Sequence, residues 1–183
     1  PNTRFGELAR AGSLPVLDDS RQADIFVAVG EALVAAGLYR YEVSNFARTS
    51  AAESLHNLGY WRGDDYLGLG CAAFGTVGAQ RYRNTPSVEK YMRGIAAGHA
   101  IEQLEALSPE TRLRERIMLG LRMREGVDLG RARSDLGIEP WTRARTQIAA
   151  ELVAQGKLVR DGDRLRVDDA GWLYVDALAA ALF

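Results

Sequence analysis

DSRQADIFVAVGEALVAAGLYRYEV, residues 19–43, decides how the first part of the chain folds. Asp19 with Gln22 three residues later patterns a capping box. Ile25, Val29 and Leu33 then recur at i, i+4 and i+8, one apolar stripe of a helix over residues 20–36. Gly37 supplies the left-handed stop. Residues 38–43 (Leu-Tyr-Arg-Tyr-Glu-Val) alternate and are rich in strand formers, so a strand follows. Helix then strand reads as one step of an α/β winding.

Working outward, residues 67–77 form a second strand candidate with glycines at Gly68, Gly70 and Gly75 and a further Gly78 just past it; glycine inside a strand marks a close approach by backbone or ligand. Thr85 caps a helix with Pro86 at its first position, Val88, Tyr91, Met92 and Ile95 form its stripe, and Gly98 ends it. Between the two strands, residues 47–65 show neither period, and loops of that length are functional or disordered. Phe46, His56, Tyr60 and Trp61 argue against disorder, so the loop is expected to pack on something.

That loop carries His56-Asn57-Leu58-Gly59-Tyr60-Trp61, which places an imidazole, a carboxamide, a phenol and an indole close together. A flat, iron-bearing macrocycle needs this set: a nitrogen ligand for the metal, and amphipathic rings that lie against it and still hydrogen-bond at their edges. Taken alone, a single loop histidine is more commonly a turn or cap residue than a metal ligand. Asp64-Asp65 are read as solvated acids with no catalytic role. His99, after Gly98, is read as a surface residue beside a helix dipole, and Cys71 as a small buried hydrophobe within a strand.

The chain changes character near residue 105. Ser108-Pro109 opens a helix to about Met123 with Leu113, Ile117 and Leu121 on one face, and residues 129–136 form a second helix stopped by Gly137. Residues 140–155 carry Trp141, Ala144, Ile148 and Leu152 at helical spacing. Two alternating runs around Asp161-Gly162 predict a hairpin over residues 157–167, and Asp168 or Asp169 caps a last helix ending at Phe183. Three helices, a hairpin and a helix predict a winged-helix-like unit. Its presumed recognition helix and wing hold Arg143, Arg145, Lys157, Arg160, Arg164 and Arg166 against Glu151, Asp161 and Asp163. That is a weak phosphate footprint, so nucleic acid is not the expected partner.

Composition agrees. The 183 residues are 47% hydrophobic and 26% charged with a formal net charge of -1, which gives no global pull toward nucleic acid or acidic lipid. No run approaches the roughly 18 apolar residues of a membrane span, and no signal pattern opens the chain, so the cytoplasm is the expected compartment. One cysteine excludes an internal disulfide and cannot by itself hold a zinc or iron–sulfur centre. Pro1 in place of methionine leads us to expect a piece of a longer protein.

Four motifs in order, Tyr41-Glu42-Val43-Ser44-Asn45-Phe46-Ala47, His56-Asn57-x-x-Tyr60-Trp61, Asp65-Tyr66-Leu67-Gly68-Leu69-Gly70-Cys71 and Arg81-Tyr82-Arg83-Asn84, resemble the coproporphyrinogen-III-oxidase-like radical-SAM proteins of the heme chaperone type. Met118-Leu119-Gly120-Leu121-Arg122-x-x-Glu125-Gly126-Val127-Asp128 is similar to their C-terminal domain. The resemblance implies α/β plus α+β architecture: residues 1–104 as the end of a partial β/α radical-SAM barrel with the heme-motif loop, and residues 105–183 as the winged-helix-like domain. It implies heme as ligand, with a 4Fe-4S cluster and S-adenosylmethionine in the full-length parent. The three cluster cysteines of the family are absent here, so this chain alone is expected to be inactive in radical chemistry.

The resemblance further implies that His56, Asn57, Tyr60 and Trp61 bind heme, with His56 as the candidate iron ligand, and that Arg48 or Arg62 pairs with propionates. Phe74 stands where the family commonly has a histidine; it edges the S-adenosylmethionine or porphyrin pocket or merely fills space, the second being favoured. Trp61 and Tyr66 have a plain alternative role, fastening the loop to the barrel. Implied partners are heme and respiratory-chain clients, with peripheral membrane contact only through those clients and a homodimer left open. Two other functions stay in view: oxygen-independent coproporphyrinogen III oxidation, and a protein-interaction module with no small-molecule site.

Overall fold

Asp18, in extended conformation, accepts a hydrogen bond from the Arg21 backbone N–H at 2.7 Å. It therefore caps the long helix one residue before the expected Asp19. The structure is a computed structural model that describes residues 3–14 and 17–183. A short helix α1 (Arg4–Arg10) precedes α2 (Asp19–Ala35), and Gly37 takes the left-handed φ of 79° that ends α2. Of the strand expected over residues 38–43, only β1 (Tyr39–Arg40) forms. It pairs antiparallel with β2 (Phe46–Ala47), so a tight hairpin stands in place of a wound strand.

The segment expected to be irregular contains a helix. Ser54 accepts from the Asn57 N–H and opens α3 (Leu55–Arg62), and Gly63 closes it at φ 70°. Next comes a three-stranded antiparallel sheet of β3 (Phe74–Val77), β4 (Gln80–Asn84) and β5 (Ile101–Ala106), in that order. The single strand expected over residues 67–77 is thus confined to its end, and Cys71 lies in a half-buried turn rather than a strand. Helix α4 (Val88–Ala96) connects β4 to β5. Its cap is Ser87, which accepts from the Lys90 N–H, rather than Thr85, whose hydroxyl donates to the Ala100 carbonyl. All strand pairs among the described residues are antiparallel.

The continuous core belongs to the last third. Helix α5 (Pro109–Gly120), capped by Ser108 with Pro109 in its first turn, buries Leu113 and Ile117 completely, and Leu121 follows them inward. Strand β6 (Val127–Asp128), α6 (Leu129–Leu136), α7 (Arg143–Ala154), β7 (Leu158–Asp161) and β8 (Arg164–Val167) close around them, the sheet running β6-β8-β7. Gly126 permits this closure: its φ is 74°, and a Cβ there would meet the Leu165 carbonyl oxygen at 2.1 Å. The hairpin turn is Gly162-Asp163, one residue later than expected, because Asp161 pairs with Arg164. Helix α7 starts after Thr142, not at Pro140. Asp168 caps a 3-10 stretch over Asp169–Tyr174, and only then does α8 (Val175–Ala181) begin, so the expected single last helix is two pieces.

A second, smaller cluster of Tyr41, Ala47, Leu58 and Met123, with Tyr39 and Trp61 against it, joins the hairpin and α3 to the end of α5. Val43 N–H donates to the Arg122 carbonyl and Arg124 N–H to the Tyr41 carbonyl. Arg81 on β4 grips Glu115 on α5 with two contacts of 2.7 Å. None of the described helices is long and apolar enough to cross a membrane.

Candidate functional site

Helix α3 carries all four motif residues, and helical geometry sorts them. His56 and Tyr60, four apart, share one face, and both are exposed. Their ring centroids are 4.8 Å apart with the planes at 89°. Tyr60 meets Tyr66 in turn at 4.7 Å and 68°. Tyr66 is fixed by its own backbone, donating to and accepting from Thr76 of β3 at 2.8 and 3.0 Å. Neither His56 ring nitrogen has a hydrogen-bond partner among the described residues.

Trp61 lies five residues from His56, so the two side chains leave the helix on different sides. The indole packs into the small cluster with Leu58 and Met123, the Arg122 guanidinium stands 5.7 Å from its ring, and its Nε1 is buried without an acceptor. Asn57 is half-buried and engages its backbone N–H with the Ser54 cap. The structure therefore brings His56 and Tyr60 together and separates them from Trp61. A cavity of about 350 Å³ lies on the Trp61 side, lined among others by Arg62, Asp64, Arg116, Glu125 and Arg164, and His56 takes no part in it. Three of its four arginines are closely paired, Arg62 with Glu125 at 3.2 Å, Arg116 with Asp135 at 2.7 Å and Arg164 with Asp128 at 2.9 Å, while Arg131 shares Asp135 at 3.8 Å.

The two arginines considered for propionates are thus both engaged, because Arg48 donates to the Ala36 carbonyl at the end of α2. Phe74 is 48% exposed with the Arg83 guanidinium 5.3 Å from its ring. Asp64 and Asp65 are exposed as expected, and Asp65 accepts the Gly78 N–H at the β3–β4 turn. His99 is exposed, with Nδ1 3.0 Å from the Ala97 carbonyl.

Two features escaped the sequence reading. Glu42 is fully buried, and neither of its carboxylate oxygens has a hydrogen-bond partner. Nearby, the Arg40 guanidinium lies among the Phe26, Phe46 and Trp172 rings at 4.4, 4.5 and 5.5 Å; burial pulls its pKa down and the Glu42 charge opposes that. The second is the partnership between two motifs. The Tyr82 hydroxyl accepts from the Gly68 N–H at 2.9 Å, and Asn84 Nδ2 donates to the Gly68 and Gly70 carbonyls at 3.0 and 2.9 Å. The Tyr82 ring also covers Gly75, where a Cβ would come within 2.3 Å of it. This lock turns Leu67 and Leu69 into solvent, 69% and 85% exposed.

Residues 107–174 match the model of the HemN C-terminal domain. The chain is 34% identical over 181 residues to the heme chaperone HemW of Mycobacterium tuberculosis, covering 98% of this chain and 44% of that protein. For the Escherichia coli heme chaperone HemW the figures are 31% over 182 residues, 97% and 46%. The chain belongs to the HemW/HemN-like family. It corresponds to the family's C-terminal region and spans less than half the length of these relatives. Among solved structures, the Escherichia coli coproporphyrinogen III oxidase HemN, a radical SAM enzyme, superposes with a TM-score of 0.68 at 17% identity, over 93% of this chain and 42% of that one. The mixed α/β fold is therefore that of the C-terminal part of HemN.

Within the HemN-type C-terminal match, three of the six basic residues considered for nucleic acid are committed elsewhere. Arg145 is 3% exposed; its Nε donates to the Leu182 carbonyl at 2.7 Å, another nitrogen donates to the Pro140 carbonyl, and Glu110 lies at 3.6 Å. Arg164 is paired with Asp128, and the Arg160 guanidinium stacks on Trp141 at 3.8 Å. Trp141 in turn donates to Asp163 at 2.7 Å. These arginines hold the helices and hairpin of the HemN-like unit together.

Proposed function

We propose that this chain is the C-terminal portion of a radical-SAM heme chaperone, in which heme is held on the His56–Tyr60 face and passed by the whole protein to respiratory proteins. The observation that carries the reading is the state of His56: an exposed imidazole with both nitrogens uncommitted, set against an aromatic neighbour. A neutral imidazole is a common haem ligand, and an aromatic ring beside it supplies apolar contact area. The names of the relatives, heme chaperone HemW, support the same assignment. In this reading residues 1–104 close a partial β/α barrel and residues 105–183 form a winged-helix-like domain used for contact with clients rather than nucleic acid. The whole protein is placed in the cytoplasm.

Asn57 and Trp61 act differently from His56 in this account. Asn57 helps start the helix and Trp61 seats it on the Tyr41–Met123 cluster, so both position the imidazole. In the parent, a 4Fe-4S cluster and S-adenosylmethionine would supply radical chemistry. The single thiol here, Cys71, does not fit a three-thiolate cluster site.

A second reading, porphyrinogen oxidation, is favoured by the likeness to the HemN fold. Titration of the chain with hemin and with iron-free coproporphyrin separates the two. Heme holding predicts a saturable Soret shift with hemin that His56→Ala abolishes. Equal binding of coproporphyrin by both proteins supports the oxidase reading, and an unsaturable response throughout leaves a protein-docking module.

A further inference from the structure

The four-residue motif ends at Trp61, yet the aromatic array that begins at His56 continues past it. Tyr60 also meets Tyr66, which belongs to the bridge onto β3 rather than to α3, at nearly the same centroid distance as it meets His56. Backbone hydrogen bonds in both directions between Tyr66 and Thr76 fix that ring to the sheet. The sheet is itself clamped to α5 through the two Arg81–Glu115 contacts. The ring is therefore held at the outer face of the helix by an element independent of it. Leu55 and Leu67, 78% and 69% exposed, flank the array in sequence at its two ends.

We infer that Tyr66 is a further ligand-contacting residue of the tetrapyrrole site, so that the bound macrocycle lies along His56, Tyr60 and Tyr66 and away from Trp61. The inference rests on the heme-holding reading above. An imidazole bound through one nitrogen stands across the macrocycle plane. A ring perpendicular to that imidazole, as Tyr60 is at 89°, can lie flat against the macrocycle. Tyr66, at 68° to Tyr60, then meets it nearly edge-on, and flat and edge contacts are the two favoured aromatic geometries. Iron ligation and face contact thus reside in different residues: His56 recognises the metal, and Tyr60 with Tyr66 recognises the ring system whether or not it holds iron.

The test is a pair of titrations, hemin by absorbance and iron-free protoporphyrin IX by fluorescence, on the wild-type chain, Tyr66→Leu, Tyr66→Phe and His56→Ala. Tyr66→Leu keeps apolar bulk but no ring, and far-UV circular dichroism checks its fold. It should lose about threefold to tenfold in affinity for both ligands, the equivalent of one aromatic contact, with the Soret position of bound hemin unchanged. Tyr66→Phe should bind both ligands like the wild type, and His56→Ala should lose hemin selectively. Wild-type affinity of folded Tyr66→Leu for both ligands overturns the inference while leaving heme holding intact. A shifted Soret band in Tyr66→Leu also overturns it, because Tyr66 would then act through His56. Absence of binding by the wild-type chain refutes the underlying reading as well.

Discussion

Replacing Trp61 by alanine should cost stability, while replacing His56, five residues away in the same motif, should cost almost none. A buried tryptophan removes about 200 Å² from water, worth about 5 kcal/mol at 25 cal/mol per Å². Trp61 is only partly covered, which reduces that to about 4 kcal/mol, and its Nε1 is desolvated without an acceptor, which subtracts a further 1–2 kcal/mol or so. The net expectation for Trp61→Ala is a loss of about 2–3 kcal/mol. His56 is exposed and, among the described residues, has the Tyr60 ring contact and no hydrogen bond, so His56→Ala should stay within about 0.5 kcal/mol of wild type. Urea unfolding followed by circular dichroism, with the slope held common, reads both numbers. Equal losses for the two variants, or a Trp61→Ala loss under about 0.5 kcal/mol, would refute the division of the motif into a seated and a displayed side.

Two further outcomes follow from buried charge. Arg145→Ala removes the donor to the Leu182 and Pro140 carbonyls and leaves a void, so the midpoint of unfolding should fall by the equivalent of about 3–5 kcal/mol; a loss below 1 kcal/mol would mean that the guanidinium sits at the surface. Glu42→Met takes away a carboxylate that has no hydrogen-bond partner while keeping the volume of the side chain, at the cost of its attraction to Arg40, and should raise stability by about 1–2 kcal/mol; a lower melting temperature would show that the attraction outweighs the desolvation.

The sequence was most legible where a local signal and a packing requirement coincide. Ser108, Pro109 and the Leu113, Ile117, Leu121 stripe predict α5, and those three leucine and isoleucine side chains are completely buried. Gly37 and Gly137 end their helices in the left-handed conformation expected of them. Helix α3 was missed because it is only eight residues long, includes Gly59, and mixes polar and aromatic residues without a clear period. Strands β4 and β5 were missed for a different reason. Gln80–Asn84 is dominated by polar residues and every residue of Ile101–Ala106 is exposed, so non-local pairing, not alternation, makes them strands. Arg145 shows the limit for a single side chain: nothing local distinguishes an arginine that faces water from one that ties two buried carbonyls. The motif residues were found by resemblance, but which side of the helix each occupies depended on recognising the helix.

The hold of Tyr82 and Asn84 on the Gly68–Gly70 backbone makes two stretches of the chain, more than a dozen residues apart, a single heritable unit. A side chain added at Gly75 collides with the phenol, and a smaller residue at position 82 makes room for it but releases the Gly68 amide. Viable changes at these positions must therefore arrive in pairs; at the Gly78-Ala79 tip between them no side chain stands in the way, and it is the left-handed φ of 61° at Gly78 and the Asp65 hold on its N–H that restrict change there.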